Sequence, residues 1–403
     1  MRRATIVIVA LAVGAIGVAG ATAGQEAATA GQGYKVVGKW GKTGRANGQF
    51  ANANGIAVSK AGLVYVADSD NYRVQVFTAT GKFVRKWGSQ GDGNGQFEIA
   101  EDVEIAPDGT VWVADQQNSR IQAFSANGAF KTLFTMPDGI PRAVGVAQDG
   151  SVIEAANGSR LGGFRRWVEK PTGWELDGGL KGGGEYRADE AEGSPDGTIY
   201  VVTSSSQVPY DARIRRYTPD GKALGSFKRG DDTTTAGIGI DLDCNVWSPN
   251  IANRRIVKYS PSGKVLATAA SPDLVAKDIA VSPQGDLYVL ENNGSVIRFR
   301  EDKKKPGTAS VPGSITVKGG KAVVKYTASG FACPDEVAAV ATLRGPEVSG
   351  KASVKVKAGK PNVIAMNVHG RAGTTAKATF TIVLKTNGRP TTERKRVRVS
   401  FAK

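Results

Sequence analysis

Residues 55–97 read GIAVSKAGLVYVADSDNYRVQVFTATGKFVRKWGSQGDGNGQF. Four short apolar runs lie inside this stretch, at Gly55–Val58, Val64–Ala67, Arg73–Phe77 and Phe83–Gly88. Lys60–Gly62, Ser69–Asn71 and Thr80–Gly81 separate them with turn-forming residues. Runs of this length, rich in Val, Tyr and Phe and punctuated by Gly, Asp and Asn, predict β-strands joined by tight turns. The stretch therefore predicts one four-stranded antiparallel meander.

The unit repeats. Phe50 recurs as Phe97, Asp68 as Asp115, Arg73 as Arg120 and Phe77 as Phe124, each pair 47 residues apart. The turn before the second strand falls at Gly62, Gly109, Gly150, Gly197, Cys244 and Gly285, with spacings of 47, 41, 47, 47 and 41. Six meanders at this period predict an all-β, six-bladed β-propeller, because one meander cannot bury both faces while a ring of six can.

VYVADSDNYRVQVF and VWVADQQNSRIQAF resemble the NHL repeat, whose propellers are commonly six-bladed. The resemblance is close in blades one and two, and weaker in blades five (IDLDCNVWSPNIANRRIVKY) and six (IAVSPQGDLYVLENNGSVIRF). In blades three and four only the strand pattern and the turn remain. The resemblance spans residues 34–300 and implies a fold rather than an activity, since propellers host many chemistries.

YKVVGKWG at Tyr34–Gly41 matches GKFVRKWG at Gly81–Gly88, and NGQF follows both. Residues 34–41 thus read as a fourth strand with no first three before it. The sixth repeat, Asp278–Arg300, has three strands and no fourth. The N-terminal strand is expected to complete the last blade and so remove two exposed sheet edges.

Outside the propeller, residues 1–23 show a basic start, an uncharged apolar run and a small-residue cleavage pattern, the marks of a secretory signal peptide; the alternative is an uncleaved membrane anchor, since Ala4–Gly24 carries no charge. Residues 24–33 form a Gly/Ala leader, and no other stretch is apolar enough to span a membrane. Residues 301–310 read as a charged linker. Residues 311–403 alternate apolar and polar residues over about seven short strands, the pattern of a small immunoglobulin-like β-sandwich. Residues 301–403 hold 20 Lys and Arg against 6 Asp and Glu, so they carry most of the chain's net +16. In the last strand Arg394, Arg396 and Arg398 alternate with Val397, Val399 and Phe401. This basic module is expected to meet anionic cell-envelope polymers or lipid head groups, placing the protein in a secreted or envelope-associated compartment. Some NHL propellers bind RNA through a basic propeller face. This propeller is nearly neutral and the chain carries an export pattern, so nucleic acid is not the expected partner.

The only histidine, His369, lies outside the propeller. Lyases that resemble this propeller, the streptogramin lyases and the peptidyl-α-hydroxyglycine α-amidating lyases, rely on histidines around the centre. That chemistry, His/Cys zinc sites and Ser–His–Asp triads are all excluded from residues 34–300. The two cysteines, Cys244 and Cys333, fall in different domains and are not expected to pair.

Strand one of each blade lines the axis of a propeller. Eight residues before each marker turn stand Asn54, Glu101, Arg142, Asp189, Ala236 and Lys277, and seven before it Gly55, Asp102, Ala143, Glu190, Gly237 and Asp278. Asn54, Glu101, Asp102, Arg142, Asp189, Glu190, Lys277 and Asp278 are therefore the candidate ligand-binding residues, able to hold a small ligand or protein by charge-assisted hydrogen bonds. The expected role is non-catalytic capture at the mouth, without a cofactor. The alternative is a lactonase-type hydrolase; such six-bladed propellers hold calcium with Asp, Glu and Asn at the mouth. Glu101, Asp102, Asp189, Glu190 and Asn54 match it in residue type, though not in motif. Asp68, Asn71, Arg73 and their repeats Asp115, Asn118 and Arg120 are expected to serve the strand turn rather than a site.

Overall fold

A computed structural model describes residues 33–136, 139–157, 164–177, 187–204, 212–229 and 236–301. It also describes the strand segments 314–318, 321–327, 336–345, 348–357, 361–369, 375–385 and 391–401. Residues 1–32, 205–211 and 302–313, which hold the expected signal peptide, most of the leader and most of the linker, lie outside these residues.

The first strand, β1 (Tyr34–Trp40), stands alone in sequence. Blade one follows as β2 (Gly55–Val58), β3 (Val64–Asp68), β4 (Arg73–Phe77) and β5 (Phe83–Trp87). Blade two comprises β6 (Ala100–Ile105), β7 (Val111–Asp115), β8 (Arg120–Phe124) and β9 (Phe130–Thr135). Blade three comprises β10 (Ile140–Val146), β11 (Val152–Asn157), β12 (Phe164–Lys170) and β13 (Gly173–Leu176). Blade four runs through β14 (Arg187–Gly193), β15 (Ile199–Ser204), β16 (Arg213–Tyr217) and β17 (Ala223–Lys228). Blade five holds β18 (Gly239–Ile240), β19 (Val246–Asn250), β20 (Arg255–Tyr259) and β21 (Val265–Ala270). Blade six has β22 (Ala276–Val281), β23 (Leu287–Glu291) and β24 (Val296–Glu301), and its sheet order is β1-β24-β23-β22.

The N-terminal strand therefore closes the ring. β1 runs antiparallel to β24, from Tyr34 opposite Glu301 to Trp40 opposite Val296. Side-chain packing repeats the same equivalence. A Cβ on Gly81 would lie 2.5 Å from the Trp40 ring, and one on Gly128 would lie 2.7 Å from the Trp87 ring. Trp40 and Trp87 thus each cover a turn glycine of the next blade, and Trp40 does for blade six what Trp87 does for blade one.

Each neighbouring pair of blades shares one apolar cluster, and the pair formed by blades six and one is no exception. There Phe50, Ile56, Val64, Val66 and Phe77 pack on Ala280, Tyr288, Leu290 and Val296. The middle strands β3, β4, β7 and β8 are buried along their whole length, whereas the outer β5 alternates. That is the pattern of a sheet covered on both faces except at its rim.

The repeated polar residues are structural. Asp68 Oδ2 accepts bonds from Arg73 Nε (2.7 Å), Asn71 Nδ2 (2.9 Å) and Gln75 Nε2 (3.0 Å), and Oδ1 accepts one from Ala51 N (2.7 Å). Arg73 Nη2 then donates to the Ala46 and Gln49 carbonyls. Asp115, Asn118, Arg120 and Gln122 repeat this arrangement in blade two. Blade three lacks the aspartate and instead buries Glu154 against Arg165, with Trp167 Nε1 donating to the same carboxylate.

The marker turns share a left-handed residue. Gly62, Gly109, Gly150, Gly197 and Gly285 have φ between 80° and 90°, and Cys244 takes the same place at φ 53°. Cys244 is buried and disulfide-bonded, which corrects the expectation that it would not pair. The chain has one other cysteine, Cys333, which lies outside the described residues. Membership of different domains does not keep two cysteines apart, and that is where the expectation failed.

The C-terminal strands are β25 (Ser314–Lys318), β26 (Lys321–Thr327), β27 (Glu336–Gly345), β28 (Val348–Lys357), β29 (Pro361–His369), β30 (Thr375–Lys385) and β31 (Thr391–Phe401). Seven strands are described, and their hydrogen bonds close in the order β25-β26-β29-β28-β27-β30-β31 into one barrel, which corrects the expected β-sandwich of two facing sheets: alternation along a strand sets which residues face inward but not which edges pair. β25 joins β31 in parallel, and the other pairings are antiparallel. Arg394, Arg396 and Arg398 stand opposite Thr381, Thr379 and Lys377, on one face of β31. Among the described residues no helix is long and apolar enough to cross a membrane.

Candidate functional site

The innermost strands β2, β6, β10, β14, β18 and β22 surround the propeller axis. At one end they open into a cavity of about 440 Å³. Its lining includes Asn54, Glu101, Asp102, Arg142, Asp189, Glu190, Lys277 and Asp278, so all eight candidate residues meet in one place. Ala236, Gly237 and Asn292 are among the remaining lining residues.

The eight residues form two tiers. In the outer tier, Lys277 Nζ donates to Asn52 Oδ1 and Asn54 Oδ1, both at 2.7 Å. Asn54 Nδ2 donates to Glu101 Oε2 at 2.7 Å, so one polar chain links blades six, one and two. Burial lowers the Lys277 ammonium, while Glu101 pulls the other way. Asp189 Oδ2 accepts a bond from Ser204 Oγ at 2.6 Å. Arg142 has no hydrogen bond or ion pair among the described residues, and its Nε is buried.

The inner tier is Asp102, Glu190 and Asp278, from blades two, four and six. Asp102 and Asp278 are only 7% and 6% exposed, so they are built into the wall rather than placed on a solvated rim. Asp102 Oδ1 accepts from Val103 N and Oδ2 from Val144 N of blade three, both at 2.8 Å. Asp278 Oδ1 accepts from Ile279 N (2.7 Å) and Oδ2 from Ile56 N of blade one (2.8 Å). Glu190 Oε1 accepts from Ala191 N.

Odd blades carry Gly55, Ala143 and Gly237 at the inner-tier position, and the acids need that space. A Cβ on Gly55 would lie 2.3 Å from Asp102 Oδ1, and one on Gly237 would lie 1.8 Å from Asp278 Oδ1. Acid on even blades and small residue on odd blades gives the mouth approximate threefold symmetry.

Two further acids, Glu104 and Glu192, lie two residues deeper on blades two and four. They line a narrow axial channel with the inner tier. They lie beyond the strand start that the offset from the marker turn selects; alternation along the strand, which points residues i and i+2 the same way, is the sequence signal for them. No cation pairs with any of these five acids among the described residues. Burial, the largest cause, pushes Asp102 up to about 6 and Glu104 up to about 8, with neighbouring carboxylates adding to it. Glu190, Glu192 and Asp278 are raised well above the carboxylate range for the same reasons. Among the described residues no group of three or more His, Cys, Asp or Glu is placed to hold a metal ion.

The NHL repeat model matches residues 50–77. No curated protein matches the sequence. Among solved structures, virginiamycin B lyase from Staphylococcus aureus is similar at 18% identity, covering 72% of this chain and 95% of that one, with a TM-score of 0.44. The WD40 propeller domain of Doa1 is similar at 12% identity, covering 68% and 98%, with a TM-score of 0.48. Hydrazine synthase from Kuenenia stuttgartiensis is similar at 16% identity, covering 61% and 83%, with a TM-score of 0.43. The six-bladed architecture rests on this chain's own strand pairing.

Proposed function

We propose that this is an extracytoplasmic binding protein that captures a ligand or a protein segment at the propeller mouth without catalysis. The observation that carries this reading is Arg142, a cation without a partner among the described residues, standing in a cavity of about 440 Å³ among mixed charges. Pockets of this size with a few convergent polar groups are the usual form of ligand sites. Export follows from the pattern of residues 1–23, and envelope association from the basic residues 301–403 with Arg394, Arg396 and Arg398 on one strand face.

A panel of charged small molecules, screened by the melting temperature of the full chain, tests the reading. Compounds that bind the folded state raise it. Replacing Glu101 and Asp189 together by Ala should weaken that response while leaving the unliganded protein folded. A chelator should leave the melt unchanged. A melt that falls with chelator and recovers with calcium, together with lactone hydrolysis lost in the double variant, would instead make the protein a calcium-dependent hydrolase.

A further inference from the structure

The charges at the mouth do not balance from within. Lys277 is occupied by Asn52 and Asn54, and Arg142 has no partner among the described residues. Arg142 belongs to β10, between the blades that carry Glu101–Asp102 and Asp189–Glu190, yet it pairs with none of these acids. Glu101 is held by Asn54 and Asp189 by Ser204. Asp102, Glu190 and Asp278 have backbone N–H donors and, among the described residues, no cation. The same cavity thus presents an unanswered cation on its wall and unanswered acids at its base. A metal ion would answer only the acids, and no group among the described residues is placed to hold one.

We propose that the mouth holds a zwitterion of dipeptide size or smaller, its carboxylate on Arg142 and its ammonium over Asp102, Glu190 and Asp278. This rests on the mouth being a ligand site. The guanidinium fork matches a carboxylate in geometry as well as charge. An ammonium has three N–H donors, and the three acids come from alternate blades around the axis, so each donor can face one acid. Gly55 and Gly237 keep the acids' space clear.

Burial raises the inner acids, and Glu104 and Glu192 beneath them, so the empty mouth keeps protons to higher pH than ordinary carboxylates, Asp102 up to about 6 and Glu104 up to about 8. An ammonium brought against them favours the ionised form. Binding therefore releases protons and tightens as pH rises, until the ligand's own α-amine deprotonates near pH ~8.

Calorimetry on the full chain with L-alanyl-L-alanine, its N-acetyl form and its C-terminal amide tests the proposal. The dipeptide should bind with proton release, seen as a buffer-dependent heat. Each capped form should bind about tenfold more weakly or worse, the scale of one lost charge-assisted contact. Arg142→Gln should bind the dipeptide and its amide alike, and Glu190→Gln should narrow the gap between the dipeptide and its N-acetyl form. Equal affinity for the dipeptide and either capped form, or full affinity in Arg142→Gln, would overturn the proposal. So would absence of dipeptide binding. If other panel compounds still stabilise the wild type and not the Glu101/Asp189 double variant, only the zwitterion is wrong. If nothing does, the ligand-site reading falls too.

Discussion

Asp278 Oδ2 accepts a hydrogen bond from Ile56 N at 2.8 Å, across 222 residues of sequence. The bond joins the last blade to the first at the axis, while β1 joins them at the rim. Ring closure is thus made twice, once by a strand and once by an acid of the mouth.

Deleting residues 24–41 should leave β24 as an open edge and remove Trp40 from Gly81 and Tyr288. Such a protein should aggregate or melt well below the full chain, as exposed edges promote pairing between molecules. Size-exclusion chromatography and a thermal melt check this; unchanged behaviour would mean that β1 does not close the ring.

The Asp68 network should behave as a buried structural pair. Asp68→Ala leaves Arg73 buried without its carboxylate, and breaking such a pair costs roughly 3–5 kcal/mol. Urea unfolding should show this loss without any effect on ligand binding, since Asp68 does not line the mouth.

Stability should fall as pH rises. A carboxyl whose folded pKa is raised binds its proton more tightly in the native state, so its contribution is complete below about pH 4 and is lost as pH rises through the folded value. Asp102 places part of this loss below about pH 6, and Glu104 extends it to about pH 8. Melting temperature should therefore decline across that range, and Glu104→Gln should flatten its upper part. A flat profile in the wild type would show that the axial acids are ionised throughout.

The full chain should bind vesicles containing anionic lipid, and added salt should weaken the binding, because exposed charges are screened over roughly 8 Å at physiological ionic strength. Replacing Arg394, Arg396 and Arg398 together by Ser should reduce binding while the propeller's melt stays the same. Equal binding by this variant would place the affinity elsewhere.

The ring was legible because its repeats are punctuated by one left-handed turn residue per blade, and because Tyr34–Gly41 copies Gly81–Gly88 closely enough to be placed. The eight mouth residues were legible for the same reason, since a fixed offset from each turn selects one level of the ring. What the offset could not show is depth. Asp102 and Asp278 read as rim charges, yet the backbone N–H groups of Val144 and Ile56 draw them into the wall. Glu104 and Glu192 sit one alternation deeper and went unread. The bonding of Cys244 was also invisible, because it depends on where the chain returns in space.

If the mouth takes its ligand through Arg142, loss of that guanidinium must show in affinity. The most direct measurement is the affinity of the most strongly stabilising compound from the charged panel, taken by calorimetry for the wild type and for Arg142→Gln. A guanidinium that contacts the ligand predicts a loss of about tenfold or more with the fold intact. The same affinity in both proteins would contradict it.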